Sequence, residues 1–329
     1  MKNSNKIPDY PRFKICCVGE PMIELSGLNR DEGEAICSVA GDTLNTAVYL
    51  KRILGKNAEI LYLTVLGKDP LSVNIHDFIK TEYINTDFIR FSAEKKCGIY
   101  VIQNDHSGER TFHYWRENSA ARTLFQSGND FECLAAADII YISGITLAIL
   151  CKQQRKKLMT WLGQEGQKKI ILFDINFRKD LWLNLKEARE TLKIAMKVAT
   201  LCFPSKEDLN AIFGMRVSLE FLKEYCKNSQ EFFVIKNGGT KAPEIILNNG
   251  KSIKLESFNK LDKVLDSTGA GDSFNAGFIG AYLMGKSLSN SLRFGNDVAL
   301  KTLKYSGAIC SAEETKEFNF TKNLQNNPN

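Results

Sequence analysis

The sequence predicts an α/β protein: a three-layer α/β/α sandwich on a mostly parallel sheet, with a small β-sheet lid. Three observations carry this. Short apolar runs alternate with helix-length segments along most of the chain, the pattern of a parallel sheet covered on both faces. Two segments interrupt that rhythm with additional β-pattern. A glycine-rich turn late in the chain, Asp266-Ser267-Thr268-Gly269-Ala270-Gly271-Asp272, follows the apolar pair Val264-Leu265 and opens onto a helical pattern from Ser273 to Met284.

The apolar runs Phe13–Val18, Ile60–Leu66, Ile139–Ser143, Ile170–Asp174, Leu201–Pro204, Phe232–Lys236 and Lys263–Leu265 are the expected strands. Helices are expected over Thr43–Leu54, Lys152–Gln164, Lys186–Ala199 and Lys206–Phe213. Ser205-x-x-Asp208 resembles a capping box and marks the start of the last of these. Asn248-Asn249-Gly250, between Ile245–Leu247 and Ile253–Leu255, reads as a hairpin turn. The interrupting segments are Ala35–Val39 and the pair Cys97–Asn104 and Arg110–Trp115, joined by the turn-rich Asp105–Glu109. A small sheet inserted there is a natural lid over a site at the carboxyl ends of the strands. One unit is therefore expected over 13–311, with lid segments at about 35–39 and 97–115. A polar tail, frayed from about Ser311, covers 312–329.

Composition narrows the class. The 329 residues are 43% hydrophobic and 25% charged, ordinary for a globular chain, with a formal charge of +6. No basic run alternates with aromatics, so no nucleic-acid partner is expected, and the charge suits anionic small molecules. Nine scattered cysteines and three histidines complete no zinc pattern, so no metal ligands are called. Cys16, Cys17 and Cys202 sit in apolar runs, where a buried thiol fits a reducing cytoplasm. The first residues lack the apolar core of a signal peptide, and no apolar run is long enough to span a membrane.

The glycine-rich turn carries the chemistry. Its glycines let the backbone turn tightly and approach a ligand, and amides at a helix start suit phosphate. A carboxylate in that cradle repels an anion, so Asp272 makes sense as the acceptor of a proton from an attacking hydroxyl. The competing reading is a turn with a first-turn helix acid. Gly280–Ser287 matches a phosphate-loop pattern formally, but it falls at the end of a helix, where Gly285 reads as a C′ residue. A dinucleotide-binding turn fails as well, because Phe274 stands where the third glycine is needed.

Other candidates are ambiguous singly. Lys236-Asn237-Gly238-Gly239-Thr240-Lys241 follows a strand and could meet polyphosphate or be an ordinary turn. Gly41, Asp42 and Asn45 open the first long helix, as a cap or as partners for a polyol. Tyr114 and Arg116 share a strand face. Asn176 and Arg178 stand at the carboxyl end of a buried strand, where α/β proteins bind ligands.

Together these residues resemble the ribokinase-like (pfkB-type) sugar kinases over roughly residues 13–311. The match lies in the Gly41–Asn45 helix start and the Asp266–Asp272 turn, in the right order and separation. Within that family the closer likeness is to 2-keto-3-deoxygluconate kinases. It is carried by Gly19-Glu20-x-Met22-Ile23-Glu24-Leu25, Gly41–Thr46, Gly108–Arg116, Ser143–Leu150 and Asp174-x-Asn176-Phe177-Arg178. The departures are Ala40, Phe177, Lys179 and Ser267, of which Lys179 could alter preference among sugar acids.

The resemblance implies a cytoplasmic ATP-dependent kinase, using Mg²⁺, that phosphorylates the 6-hydroxyl of a sugar acid. Asp272 would be the base, with Gly269, Ala270 and Gly271 forming the anion hole. Gly41, Asp42, Asn45, Tyr100, Tyr114, Arg116 and Arg178 would hold the sugar acid, the arginines meeting its carboxylate. Asn176, Lys236, Gly238, Gly239, Lys241, Gly269 and Gly271 would line the nucleotide site. A dimer or higher oligomer is expected, because the family often pairs lids between subunits. The alternatives are a related kinase for fructose, ribose or another ketose, and a catalytically silent sugar-acid sensor.

Overall fold

Strands buried on both faces need apolar residues at every position rather than at alternate ones, and β1 (Phe13–Val18) shows this. Its Ile15 and Cys17 join one core cluster, while Cys16 and Val18 join the other on the opposite face. The computed structural model describes residues 12–27, 35–104, 110–214, 222, 232–239, 241–255 and 257–320. The Asp105–Glu109 turn, Thr240 and the tail beyond residue 320 lie outside them.

From β1 the chain runs through β2 (Met22–Ser26), β3 (Ile36–Ala40), α1 (Asp42–Leu54), β4 (Ala58–Leu63), β5 (Val65–Leu66) and α2 (Pro70–Thr81). Then come β6 (Arg90–Phe91), β7 (Gly98–Asn104), β8 (Arg110–Trp115), α3 (Asn129–Ala136), β9 (Ile139–Ser143), α4 (Gly144–Ile149) and α5 (Lys152–Gln164). β10 (Ile170–Asp174), α6 (Leu185–Val198), β11 (Leu201–Phe203), α7 (Lys206–Phe213) and β12 (Phe232–Ile235) follow. β13 (Glu244–Leu247), β14 (Ser252–Lys254), α8 (Ala270–Leu283) and α9 (Leu288–Thr302) complete the series.

The main sheet has the order β14-β13-β12-β11-β10-β9-β1-β4. All pairs from β12 to β4 are parallel, and β13 and β14 add an antiparallel hairpin at one edge. The chain order reverses between β1 and β9, which opens a crevice at the carboxyl ends of those strands. Helices α1, α2, α8 and α9 contribute Leu44, Ile75, Phe278 and Leu292 to the core on one face. Helices α3 to α7 contribute Leu134, Leu147, Leu158, Leu192 and Leu209 on the other. The lid is a separate sheet, β3-β2-β7-β8, in which β2 runs parallel to β7 and antiparallel to β3.

Three sequence expectations change. Ile60–Leu66 breaks at Thr64, because the edge strand β4 ends and β5 turns away to pair with β6. Lys263–Leu265 forms no strand: Val264 and Leu265 are exposed, and the Leu265 amide donates to the Leu303 carbonyl instead of to a sheet. The tail is not frayed from Ser311, since Glu313–Phe318 makes a 3₁₀ turn and Phe318 and Phe320 lie against Phe294. Other expectations hold. Ser205 and Asp208 form a reciprocal capping box, and Gly285 follows α8 in the left-handed region at φ 77°. The Gly280–Ser287 match is therefore a helix end.

Tyr49 of α1 ties the C-terminal segment to the core. Its buried hydroxyl donates to the Ala308 carbonyl (3.2 Å) and accepts from the Cys310 amide (3.1 Å). Tyr49→Phe strands both partners, so it should destabilise the fold by roughly 1–3 kcal/mol. The midpoint of urea unfolding should fall without a change in slope; an unmoved midpoint would show that water replaces the hydroxyl.

Candidate active site

Two helix N-termini meet above the crevice. α1 begins after Gly41, whose φ of 143° and position leave no room for a side chain: a Cβ would stand 2.5 Å from the Glu20 carbonyl oxygen. α8 begins after Gly269, left-handed at φ 73°, where a Cβ would stand 2.5 Å from the Ala308 carbonyl oxygen. Asp266 shapes the approach. Its buried carboxylate accepts from the amides of Thr268 and Gly307, each at 2.8 Å. Asn45, one turn into α1, donates from Nδ2 to Oδ2 of Asp272 at 2.8 Å, which joins the two helix starts.

Asp272 is buried beside other acids, and this sets its proton affinity. Burial, then the charge of Asp42, pushes its carboxyl up to about 8; the Asn45 hydrogen bond and Lys236 oppose that rise, and Asp174 adds to it. The first-turn amides beside it have no intrahelical acceptor. Among them the Ala270 amide is committed to the Ser267 carbonyl in a 3.3 Å turn bond, so Gly271 presents the freer donor.

The strand ends supply the next ring of groups. Asn176, just past β10, has a positive φ of 31° and donates from Nδ2 to Oδ2 of Asp42 at 3.1 Å. Asp174, the last residue of β10, takes the Lys236 ammonium on both oxygens at 3.0 and 2.9 Å. Asn275 of α8 donates to the same carboxylate at 2.7 Å. Gly238 and Gly239, at φ 58° and 74°, make an exposed turn after Lys236. Lys241 is exposed beyond that turn, and among the described residues no hydrogen bond or ion pair joins it to the cluster.

The lid covers this cluster with aromatic and basic groups. Tyr100 of β7 and Tyr114 of β8 are direct cross-strand partners with ring centroids 5.6 Å apart. Tyr100 is buried and donates a short hydrogen bond to Oε2 of Glu24, and burial and Glu24 both push its hydroxyl pKa up. Tyr114 is 42% exposed; partial burial pushes its hydroxyl pKa up, and nearby Arg178 and Arg116 oppose that rise. Arg178 is itself exposed, and among the described residues it donates only to the carbonyl of the adjacent Phe177.

Arg116 stands differently from its expected role. It is 5% exposed, and its Nε donates to Oε2 of the buried Glu20 at 2.9 Å, with Nη2 on the same oxygen. Gly98 makes room for that pair, since a Cβ there would stand 2.7 Å from Glu20 Oε1. The charge of Arg116 is thus largely spent within the protein, while that of Arg178 is not.

The structure therefore gathers Gly41, Asp42, Asn45, Asn176, Lys236, Asp272 and the Gly269–Gly271 turn, with Tyr100, Tyr114, Arg116 and Arg178 at the lid. Glu20, Glu24, Asp174 and Asn275 belong to the same cluster, and no role is assigned to them from sequence. Asp174 carries the signal used for Asn176, a polar residue at the carboxyl end of a parallel strand. Asn275 carries none, because a polar residue one turn into a helix is ordinary. Among the described residues no group of three or more His, Cys, Asp or Glu side chains could hold a metal ion. Among them, too, no helix is long and apolar enough to cross a membrane.

The pfkB family carbohydrate kinase model matches residues 12–315. A 2-dehydro-3-deoxygluconokinase of Haemophilus influenzae is 35% identical over 304 residues, covering 90% of this chain and 95% of its own. One from Dickeya dadantii is 35% identical over 308 residues, covering 91% and 97%. Among solved structures, a fructokinase with bound ATP from Xylella fastidiosa superposes with a TM-score of 0.79 at 18% identity, over 96% of this chain and 99% of its own. The fold, the matched span and the two relatives agree: the chain belongs to the pfkB family of carbohydrate kinases.

Proposed function

We propose that this protein transfers the γ-phosphoryl group of ATP to the 6-hydroxyl of 2-dehydro-3-deoxygluconate, giving the 6-phosphate and ADP. The observation that carries the reading is the buried Asp272 beside the Gly271 amide at the α8 N-terminus, under a lid with the exposed Arg178 at its edge. The named activity of the Haemophilus and Dickeya relatives supports the substrate.

In this reading Asp272 accepts the hydroxyl proton as the oxygen attacks phosphorus. Amides of Gly269, Ala270 and Gly271 donate to the charge developing on the transferred group, Gly271 most freely. Asn45 orients the Asp272 carboxylate. Gly41, Asp42, Asn45, Tyr100, Tyr114, Arg116 and Arg178 hold the sugar acid. Asn176, Lys236, Gly238, Gly239 and Lys241 line the nucleotide. ATP is the donor, supported by the ATP-bound Xylella fructokinase. The lack of a carboxylate cage among the described residues fits Mg²⁺ arriving on the nucleotide, whose phosphate charge it would neutralise.

The kinase unit proposed here spans 13–311, with lid segments at 35–39 and 97–115. Buried free thiols support a cytoplasmic setting. Exposed Ile36 and Trp115, on the two edge strands of the lid, support a homo-oligomer of two or more copies. A coupled ADP-release assay across neutral sugars and sugar acids tests the whole reading. Turnover should be highest with 2-dehydro-3-deoxygluconate. Preference for fructose or ribose would favour the neutral-sugar alternative, to which the Glu20–Arg116 pairing lends weight.

Asp272→Asn should lower kcat by at least ~10²-fold while sugar and nucleotide still bind, the scale of a general base. Near-normal kcat would reduce Asp272 to a helix-start acid. The base must lose its proton to act, and its carboxyl titrates at about 8. So kcat/KM should rise with pH through neutrality and level off above about 8. A rate already flat from pH 5 upward would contradict that assignment.

Arg178→Ala should lower kcat/KM for the sugar acid by about 10- to 100-fold, the loss of one charge-assisted partner. Turnover of a neutral ketose should barely change. Equal losses on both would place Arg178 outside the carboxylate site.

A further inference from the structure

The Asp174–Lys236 pair has no evident structural reason. Replacing a buried ion pair by apolar groups is often neutral or stabilising, so the pairing calls for another cause. Asp174 is 2% exposed and holds the Lys236 ammonium on both oxygens. Asn275 ties the same carboxylate to α8 at 2.7 Å, and its Nδ2 also donates to the buried Tyr141 hydroxyl at 3.0 Å. The ammonium ends beside the helix start, because a Cβ on Gly271 would stand 3.6 Å from Lys236 Nζ. A lysine on a flexible four-carbon stem does not keep such a place unaided. Here a carboxylate anchored to α8 sets its position relative to the turn that α8 begins.

We propose that Asp174 is a positioning residue: it holds the Lys236 ammonium against the Gly269–Gly271 turn, where it meets the terminal phosphate of a nucleoside triphosphate. The inference rests on that turn being the phosphate site of the proposed kinase. Asp174 touches neither substrate in this scheme and acts on the phosphate through Lys236 alone. Its effect belongs to the third phosphate, not to the nucleoside or the first two.

The test is calorimetric binding of ADP and of a non-hydrolysable β,γ-imido ATP analogue, each with Mg²⁺, to the full chain. Wild type should bind the triphosphate analogue about 10-fold or more tighter than ADP, the scale of one charge-assisted phosphate contact. Asp174→Asn and Lys236→Met should each remove most of that preference while leaving ADP affinity within about twofold. The double variant should match Lys236→Met in nucleotide preference. If Asp174→Asn fails to fold, the double variant, a neutral pair of similar volume, decides by the same comparison. A folded Asp174→Asn that keeps the full preference overturns the inference alone. So does a double variant several-fold worse than Lys236→Met. A wild type that binds both nucleotides equally overturns the phosphate site and the inference with it.

Discussion

The hydrogen bond from Asn45 to Asp272 joins two helices through residues 227 apart in the chain, and the site is built around it. Each helix starts on a glycine pressed against a backbone carbonyl, Gly41 on Glu20 and Gly269 on Ala308. Those contacts fix where the first-turn groups stand before any side chain is considered. Asp42 and Asn45 from one helix, and Gly271 and Asp272 from the other, then converge on one point. The reversal of strand order between β1 and β9 leaves that point open to ligands. A methyl group on either capping glycine would push a helix start away and separate Asn45 from Asp272.

Convergence buries Asp272 and brings like charges around it, which is what would suit it to act as a base. Burial raises its proton affinity most, and Asp42 and Asp174 raise it further. Lys236 limits the rise, but its ammonium is shared with Asp174 on two contacts. The cluster therefore carries excess negative charge before any ligand enters. A carboxylate on the surface would titrate near 4 and be a weak base at neutral pH. One that titrates near 8 accepts a proton readily. In the proposed transfer the amides at the α8 start would offset the same repulsion, so one helix end would supply both the base and the anion site.

Much of this is legible in the sequence because it depends on backbone geometry and chain order. The Asp266–Asp272 turn, the Gly41–Asn45 helix start and the Ser205–Asp208 cap are local, and local rules read them correctly. The parallel sheet is visible because its strands are uniformly apolar. Lys263–Leu265 fails by the same rule: the apolar pair Val264-Leu265 looks like a strand, but only a free sheet edge makes it one. The Asp174–Lys236 and Glu20–Arg116 pairs are hidden because their partners lie 62 and 96 residues apart. Nothing in either neighbourhood announces the other. A sequence can show that an arginine follows a lid strand, but not that a glutamate just past the first core strand waits beneath it.

That glutamate changes how selectivity for an acid would arise. Two arginines near a substrate carboxylate suggest two equal clamps. Yet Glu20 neutralises Arg116 and holds it at the junction where β8 returns to the core. Glu20 itself stands where the chain leaves β1 for the lid strand β2. The pair thus fastens the lid at both crossings, and its field at the substrate is that of a dipole, which falls off faster with distance than that of a charge. Arg178 is exposed at the crevice rim with its charge uncancelled, and it acts on the Tyr114 hydroxyl across the gap between core and lid. Attraction for an anionic substrate would then come chiefly from the core side, while Arg116 would set the pose of the lid above it.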